Sequence, residues 1–171
     1  MTRPSALAVS RMALRLALIF NAIFGVVLCG VMILSIGVGG IFLAMDGFGE
    51  VKPADAAILA VMTVNTVAIV RLTHLVLKRL IEIIDTVRGG EPFALANAGR
   101  LRQIAWKLLG IECLAVFGTF LFGQLDIKLP VEVDMPWTIS FGMLIAVPLL
   151  LVLSRVFDEG ARMRASLEVP A

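Results

Sequence analysis

Few of the 171 residues could do chemistry. Glu112 is the charged residue inside the apolar run Leu108–Leu125, and an ionisable side chain in such a setting is a functional candidate. It stands five residues past Lys107, while Asn21 stands six past Arg15 and Asn65 six before Arg71. If each basic residue marks where a helix enters lipid, all three lie roughly 7–9 Å below one membrane face. A carboxyl group and two amides at one level could form an intramembrane polar layer linking three helices. An unpaired carboxylate in lipid is costly, so Glu112 must be protonated or hydrogen-bonded. Two roles stay open for it: a structural clasp, or a proton- or ligand-responsive site.

The remaining reactive side chains point to packing. His74, the single histidine, has Arg71 and Lys78 on neighbouring turns and no metal-binding companions. Cys29 and Cys113 sit in apolar runs and read as small apolar residues. The eight methionines are scattered. Gly89-Gly90 lacks the Lys-Ser/Thr that completes a phosphate loop. No nucleophile–base pair, zinc spacing or pair of catalytic carboxylates can be assembled. The expectation is a protein that is not an enzyme and holds no cofactor or metal.

The elements that must position these residues are set by composition. Apolar types make up 60% of the chain, about 69% with its 15 glycines, against the ~45–50% of soluble domains. A soluble globule of this size buries only ~70% of its unfolded surface, too little to hide that excess. The solvent for most of the chain is lipid. The net charge of +2 is too mild to point to nucleic acid, and no direct nucleic-acid binding is expected.

Four apolar runs divide the chain. Leu16–Met45 is free of charge for 30 positions, so its helix must tilt, protrude or break, and Gly37, Gly39 and Gly40 offer a break. Ala56–Val70 continues past Arg71 to Leu77, Leu108–Leu125 carries Glu112, and Pro136–Ser154 is uncharged for 19 residues. Each is near the ~20 residues that cross a bilayer, without the alternation of barrel strands. The fold class is therefore all-α: one domain, a four-transmembrane-helix bundle with spans near 16–43, 55–77, 104–125 and 136–155. Of the 15 Lys and Arg, 13 lie in the two tails and in 71–107. By the positive-inside rule both termini and the central loop face the cytoplasm. Trp106 and Trp137 stand where indole prefers the headgroups.

In the central segment, Val76, Leu80, Ile83, Ile84 and Val87 recur at helical spacing, with Lys78, Arg79, Glu82 and Asp85 opposite. The second helix is thus expected to run on into the cytoplasm and stop at Gly89-Gly90. Pro92 marks a turn, and a helix resumes near Asn97, a good cap residue. The product is a cytoplasmic helical hairpin. Glu91, Pro92, Phe93, Asn97, Arg100 and Arg102 form its candidate partner surface; the bland alternative is a basic surface that fixes topology and touches anionic headgroups.

This stretch resembles a known family. Gly90-Glu91-Pro92-Phe93, Asn97, Arg100-Leu101-Arg102, Ile104 and Trp106 are similar to a signature of small bacterial membrane proteins, domain of unknown function 2975. Val156-Phe157-Asp158-Glu159-Gly160 and Met163-Arg164 are similar to that family's ending. The chain departs from it at Leu167-Glu168-Val169-Pro170-Ala171, where members usually carry an acidic residue before a Leu-Thr-Val-like end. The resemblance runs from the first helix to the tail. It implies a four-helix protein of the bacterial inner membrane with no established activity. Members are often encoded beside a small helix-turn-helix regulator, which makes such a regulator the expected partner class.

Small residues form stripes suited to close packing: Ala17, Asn21, Gly25 and Cys29, then Ala115, Thr119 and Gly123, then Gly142 and Ala146. They serve packing within the bundle or a homo-oligomer face. Pro148 removes a hydrogen bond to Leu144 and is expected to bend the fourth helix. The leading function is a non-catalytic regulatory or accessory protein. The alternative is an oligomeric transporter or channel that uses the polar layer.

Overall fold

The computed structural model describes residues 6–44, 53–124 and 140–167. They form four helices: α1 (Ala6–Ala44), α2 (Pro53–Arg88), α3 (Leu95–Phe122) and α4 (Phe141–Leu167). Each contains a stretch long and apolar enough to cross a bilayer, and the chain is an all-α, multi-pass membrane protein. Residues 125–139, with Trp137 and the expected start of the fourth span, lie outside the described residues, as do the loop positions around Lys52.

α1 runs unbroken for 39 residues, about 58 Å. The glycines at 37, 39 and 40 do not interrupt it, so of tilt, protrusion and break the last is not used. Glycine costs a helix only about 1 kcal/mol, whereas freeing backbone groups in lipid costs several. The excess length is therefore met by tilt or protrusion. α4 likewise continues through Pro148 as one helix.

α2 ends as its pattern predicts. Gly90 adopts φ +84°, the left-handed conformation that glycine tolerates best, and Glu91 N–H returns to Thr86 O at 3.1 Å. Asn97, however, is not the cap of α3. That helix starts at Leu95 with Ala94 in the capping position and no side-chain cap, leaving the Asn97 amide for other work.

Among the described residues, contacts join α1 to α2, α2 to α3 and α3 to α4, and no other pair of helices. The four helices thus stand in an open row. Arg11 of α1 pairs with Asp85, and Phe93 lies against Phe157 of α4. The start of α1, the α2–α3 hairpin and the end of α4 therefore share one end of the molecule.

The buried large and small apolar side chains among the described residues cluster toward that end: Val76, Ala98, Leu101, Ile104, Ala105 and Ala161. Along the spans, large side chains such as Phe20, Val26, Phe141 and Ile145 are mostly exposed. The division follows from the solvent. Lipid gives apolar side chains no reason to leave it, whereas water does, so exposed apolar side chains along the spans cost a membrane protein nothing.

Candidate functional site at the hairpin corner

The corner is organised by Asn97, which is wholly buried. Its Nδ2 donates to Pro92 O at 3.0 Å. Its Oδ1 accepts from Thr86 Oγ1 at 2.9 Å and from Arg100 Nη1 at 2.8 Å. One amide thus ties the end of α2, the turn and the first turn of α3 together. Arg100 Nε donates to Glu82 Oε2 at 3.1 Å, and Arg79 Nη1 to the same oxygen at 2.7 Å. The Arg79 hydrogen bond holds the Glu82 carboxyl below its ordinary 4.5, helped by the charges of Arg79 and Arg100 and opposed by partial burial.

The outer helices are fastened to this corner. Arg11 meets Asp85 through both carboxylate oxygens, at 2.9 and 3.0 Å, which ties α1 to the extension of α2. The Phe93 ring lies 5.4 Å from Phe157, and a Cβ on Gly160 would come within 3.3 Å of it. The absence of a side chain at Gly160 lets the ring settle on α4. The two stretches that carried the family resemblance, Gly90–Phe93 and Val156–Gly160, are therefore two sides of one contact.

This geometry divides the six residues expected to form a partner surface. Asn97 and Arg100 face inward and are spent on the corner's own network, which corrects their expected outward role. Pro92 is half-buried, with its carbonyl engaged by Asn97. Glu91, Phe93 and Arg102 are exposed, and Leu95 and Trp106 beside them are 59% and 61% exposed. Leu95 was missed because an apolar residue next to a turn carries no distinguishing signal.

The three polar-layer residues do not form one cluster, which corrects that expectation. Asn21 Nδ2 donates to Val70 O of α2 at 3.2 Å, Asn65 Nδ2 to Leu114 O of α3 at 3.1 Å. Glu112 Oε1 accepts from the backbone N–H of Ser140, the residue before α4, at 2.6 Å. No hydrogen bond joins the three to one another. Val70 is five residues from Asn65, so the first two clips are about 7.5 Å apart along α2. In an open row α1 does not touch α3, and each polar side chain clips its own helix to the next. Asn65 Oδ1 is buried without a partner. A Cβ on Gly118 would come within 2.9 Å of Asn65 Nδ2, so that glycine admits the amide.

Glu112 also suits its partner electrostatically. A helix N-terminus presents unpaired N–H groups and a partial positive charge, which a carboxylate complements. Ser140 itself caps α4, accepting from Met143 N and Leu144 N through its carbonyl at 2.9 and 3.1 Å. Its role was hidden in the sequence because the partner is 28 residues away. Among the described residues, no three His, Cys, Asp or Glu side chains converge on a point.

A family model described as a protein of unknown function (DUF2975) matches residues 43–169. The match takes in α2, the hairpin, α3 and α4, and leaves nearly all of α1 outside it, a narrower range than the resemblance. No curated protein and no solved structure matches the chain. With three-quarters of its length matched, including both sides of the Phe93–Phe157 contact, the chain belongs to the DUF2975 family of proteins of unknown function.

Proposed function

We propose that this is a non-catalytic accessory or regulatory protein of the bacterial inner membrane, whose hairpin end is a rigid platform for a soluble cytoplasmic partner. The observation that carries the reading is the division of labour at the corner. A part-buried polar network centred on the buried Asn97 fixes its shape, while Leu95, Arg102 and Trp106 stand outside. The hairpin end also gathers Arg11, Arg79, Arg88, Arg100, Arg102 and Arg162, so the positive-inside rule orients it, with both termini, toward the cytoplasm. α2 extends about 16 Å beyond its expected span, which ends near Leu77.

The expected partner class is a small helix-turn-helix regulator, held at the membrane by protein contacts and not through nucleic acid bound by this chain. The open row leaves the outer flanks of α1 and α4 to lipid or to a second copy.

The test is a photo-crosslinking amino acid placed at Leu95, Arg102 or, as a lipid-facing control, Phe141. A soluble protein of one size, trapped from the first two sites in cells and absent from the third, is the expected result. No adduct from any site, together with pH-driven flux through the purified protein in liposomes, would favour the transporter alternative.

A further inference from the structure

A Cβ on Gly25 would lie 2.5 Å from Val70 Cγ1, so α1 and α2 are in close contact there, whereas a Cβ on Gly30 would meet open space. Between them opens a groove of about 590 Å³, within the range of ligand sites. Its walls are apolar except at one end, where Asn21, Arg71 and His74 stand. Asn21 is already spent on Val70 O. Lys78 is exposed one helical face-repeat beyond Arg71, on the same side of α2.

We infer that this groove binds an anionic phospholipid from the leaflet on the hairpin side, its phosphate on Arg71 and His74 and one acyl chain along Cys29 and Gly30. Three observations carry the assignment. The first is depth: Arg71 lies 17 residues from Ala54, where the apolar part of α2 begins, about 26 Å along a ~30 Å hydrocarbon layer. Its guanidinium is therefore at headgroup level, and Lys78 about 10 Å further out. The second is length. From Asn21 to Ile33 the groove follows α1 for about 18 Å, close to the ~15 Å of one leaflet.

The third is charge. Neither Arg71 nor Lys78 has a carboxylate partner among the described residues, because Asp85 is taken by Arg11 and Glu82 by Arg79 and Arg100. A cationic site between membrane helices at the interface is the arrangement that holds an anionic headgroup. A second copy of the chain fits less well. A two-fold contact through this face would set Arg71 and Lys78 against their own counterparts, and like charges repel.

The test uses the full chain in phosphatidylcholine vesicles containing chain-spin-labelled phosphatidylglycerol or phosphatidylcholine as probe. The spectrum reports the immobilised fraction of each. The expected result is a preference for phosphatidylglycerol that falls about fivefold in Arg71→Gln, the effect of one interfacial cation worth ~1 kcal/mol. Gly30→Leu places a side chain in the groove and lowers the immobilised population of both probes by the groove's share. Arg155→Gln, an exposed cation on α4, leaves the preference unchanged. Equal losses in Arg71→Gln and Arg155→Gln would reduce the effect to general surface attraction and overturn the site. An immobilised population untouched by Gly30→Leu, with loss of a cross-linkable dimer instead, would assign the groove to a second copy.

Discussion

The ring of Phe93, in the turn between α2 and α3, packs 5.4 Å from the ring of Phe157 on α4, tilted by 43°. Sixty-four positions apart in sequence, they fasten the fourth helix to the hairpin. Aromatic pairs in such tilted geometry contribute about 0.5–1.5 kcal/mol beyond their buried area. A double-mutant cycle of Phe93→Ala and Phe157→Ala, read by thermal unfolding in detergent, is expected to give a coupling in that range. Strictly additive losses would show that the rings do not hold α4 in place.

Asn97 is expected to be the most sensitive polar position of the corner. Asn97→Leu keeps the branched shape but takes the donor from the Pro92 carbonyl and one acceptor from Thr86 and Arg100, which retain Ile83 O and Glu82. A buried carbonyl left without its donor costs about 1–3 kcal/mol. Amide hydrogen exchange over residues 86–100 should rise in this variant before any change is seen in the spans. Unchanged protection would mean that the network is redundant.

Acid should loosen the same region. The folded Glu82 carboxyl titrates below 4.5, so the folded state holds its proton more weakly than the unfolded chain. Its contribution is complete above the unfolded value and fades as pH falls through the folded one. Hairpin protection should therefore drop below pH 4.5, and Glu82→Gln should flatten that dependence while lowering stability at neutral pH. An identical acid profile in the variant would remove Glu82 from the account.

Glu112 should behave as a cap. Glu112→Gln retains an oxygen for the Ser140 N–H and should preserve the fold with a small loss, since the favourable dipole interaction of about 0.3–1 kcal/mol goes with the charge. Glu112→Leu leaves Ser140 N–H without that acceptor and should fray the start of α4, seen as faster exchange at 140–144. Equal behaviour of the two variants would contradict the hydrogen bond.

Two glycines give a contrast in packing. Gly118→Ala drives a methyl to within 2.9 Å of Asn65 Nδ2 and should break its bond to Leu114, lowering the unfolding temperature. Gly30→Ala meets open space and should be neutral or slightly stabilising through helix propensity. Matching shifts in both would show that α2 and α3 yield at this level.

Read without its fold, the chain already shows that it carries four apolar helices, that α2 runs on past Leu77 and that it stops at Gly89-Gly90. Those features are local: apolar runs of bilayer length, 3.6-residue periodicity and a glycine able to take positive φ. It also singled out Asn21, Asn65 and Glu112 as residues in need of partners, since a carboxylate or amide within an apolar run must find one. It could not assign the partners. Asn21, Asn65 and Glu112 lie near one depth by residue count, but whether they meet depends on how the helices are arranged, and an open row separates what a closed ring would join. The same holds for Asn97 and Arg100, which look like surface residues until the hairpin folds over them. Phe93 and Phe157 belong to motifs at opposite ends of the chain, and only the antiparallel register of α3 and α4 makes them one contact. Hydropathy is a property of segments; partnership is a property of neighbours, and neighbours are fixed by packing.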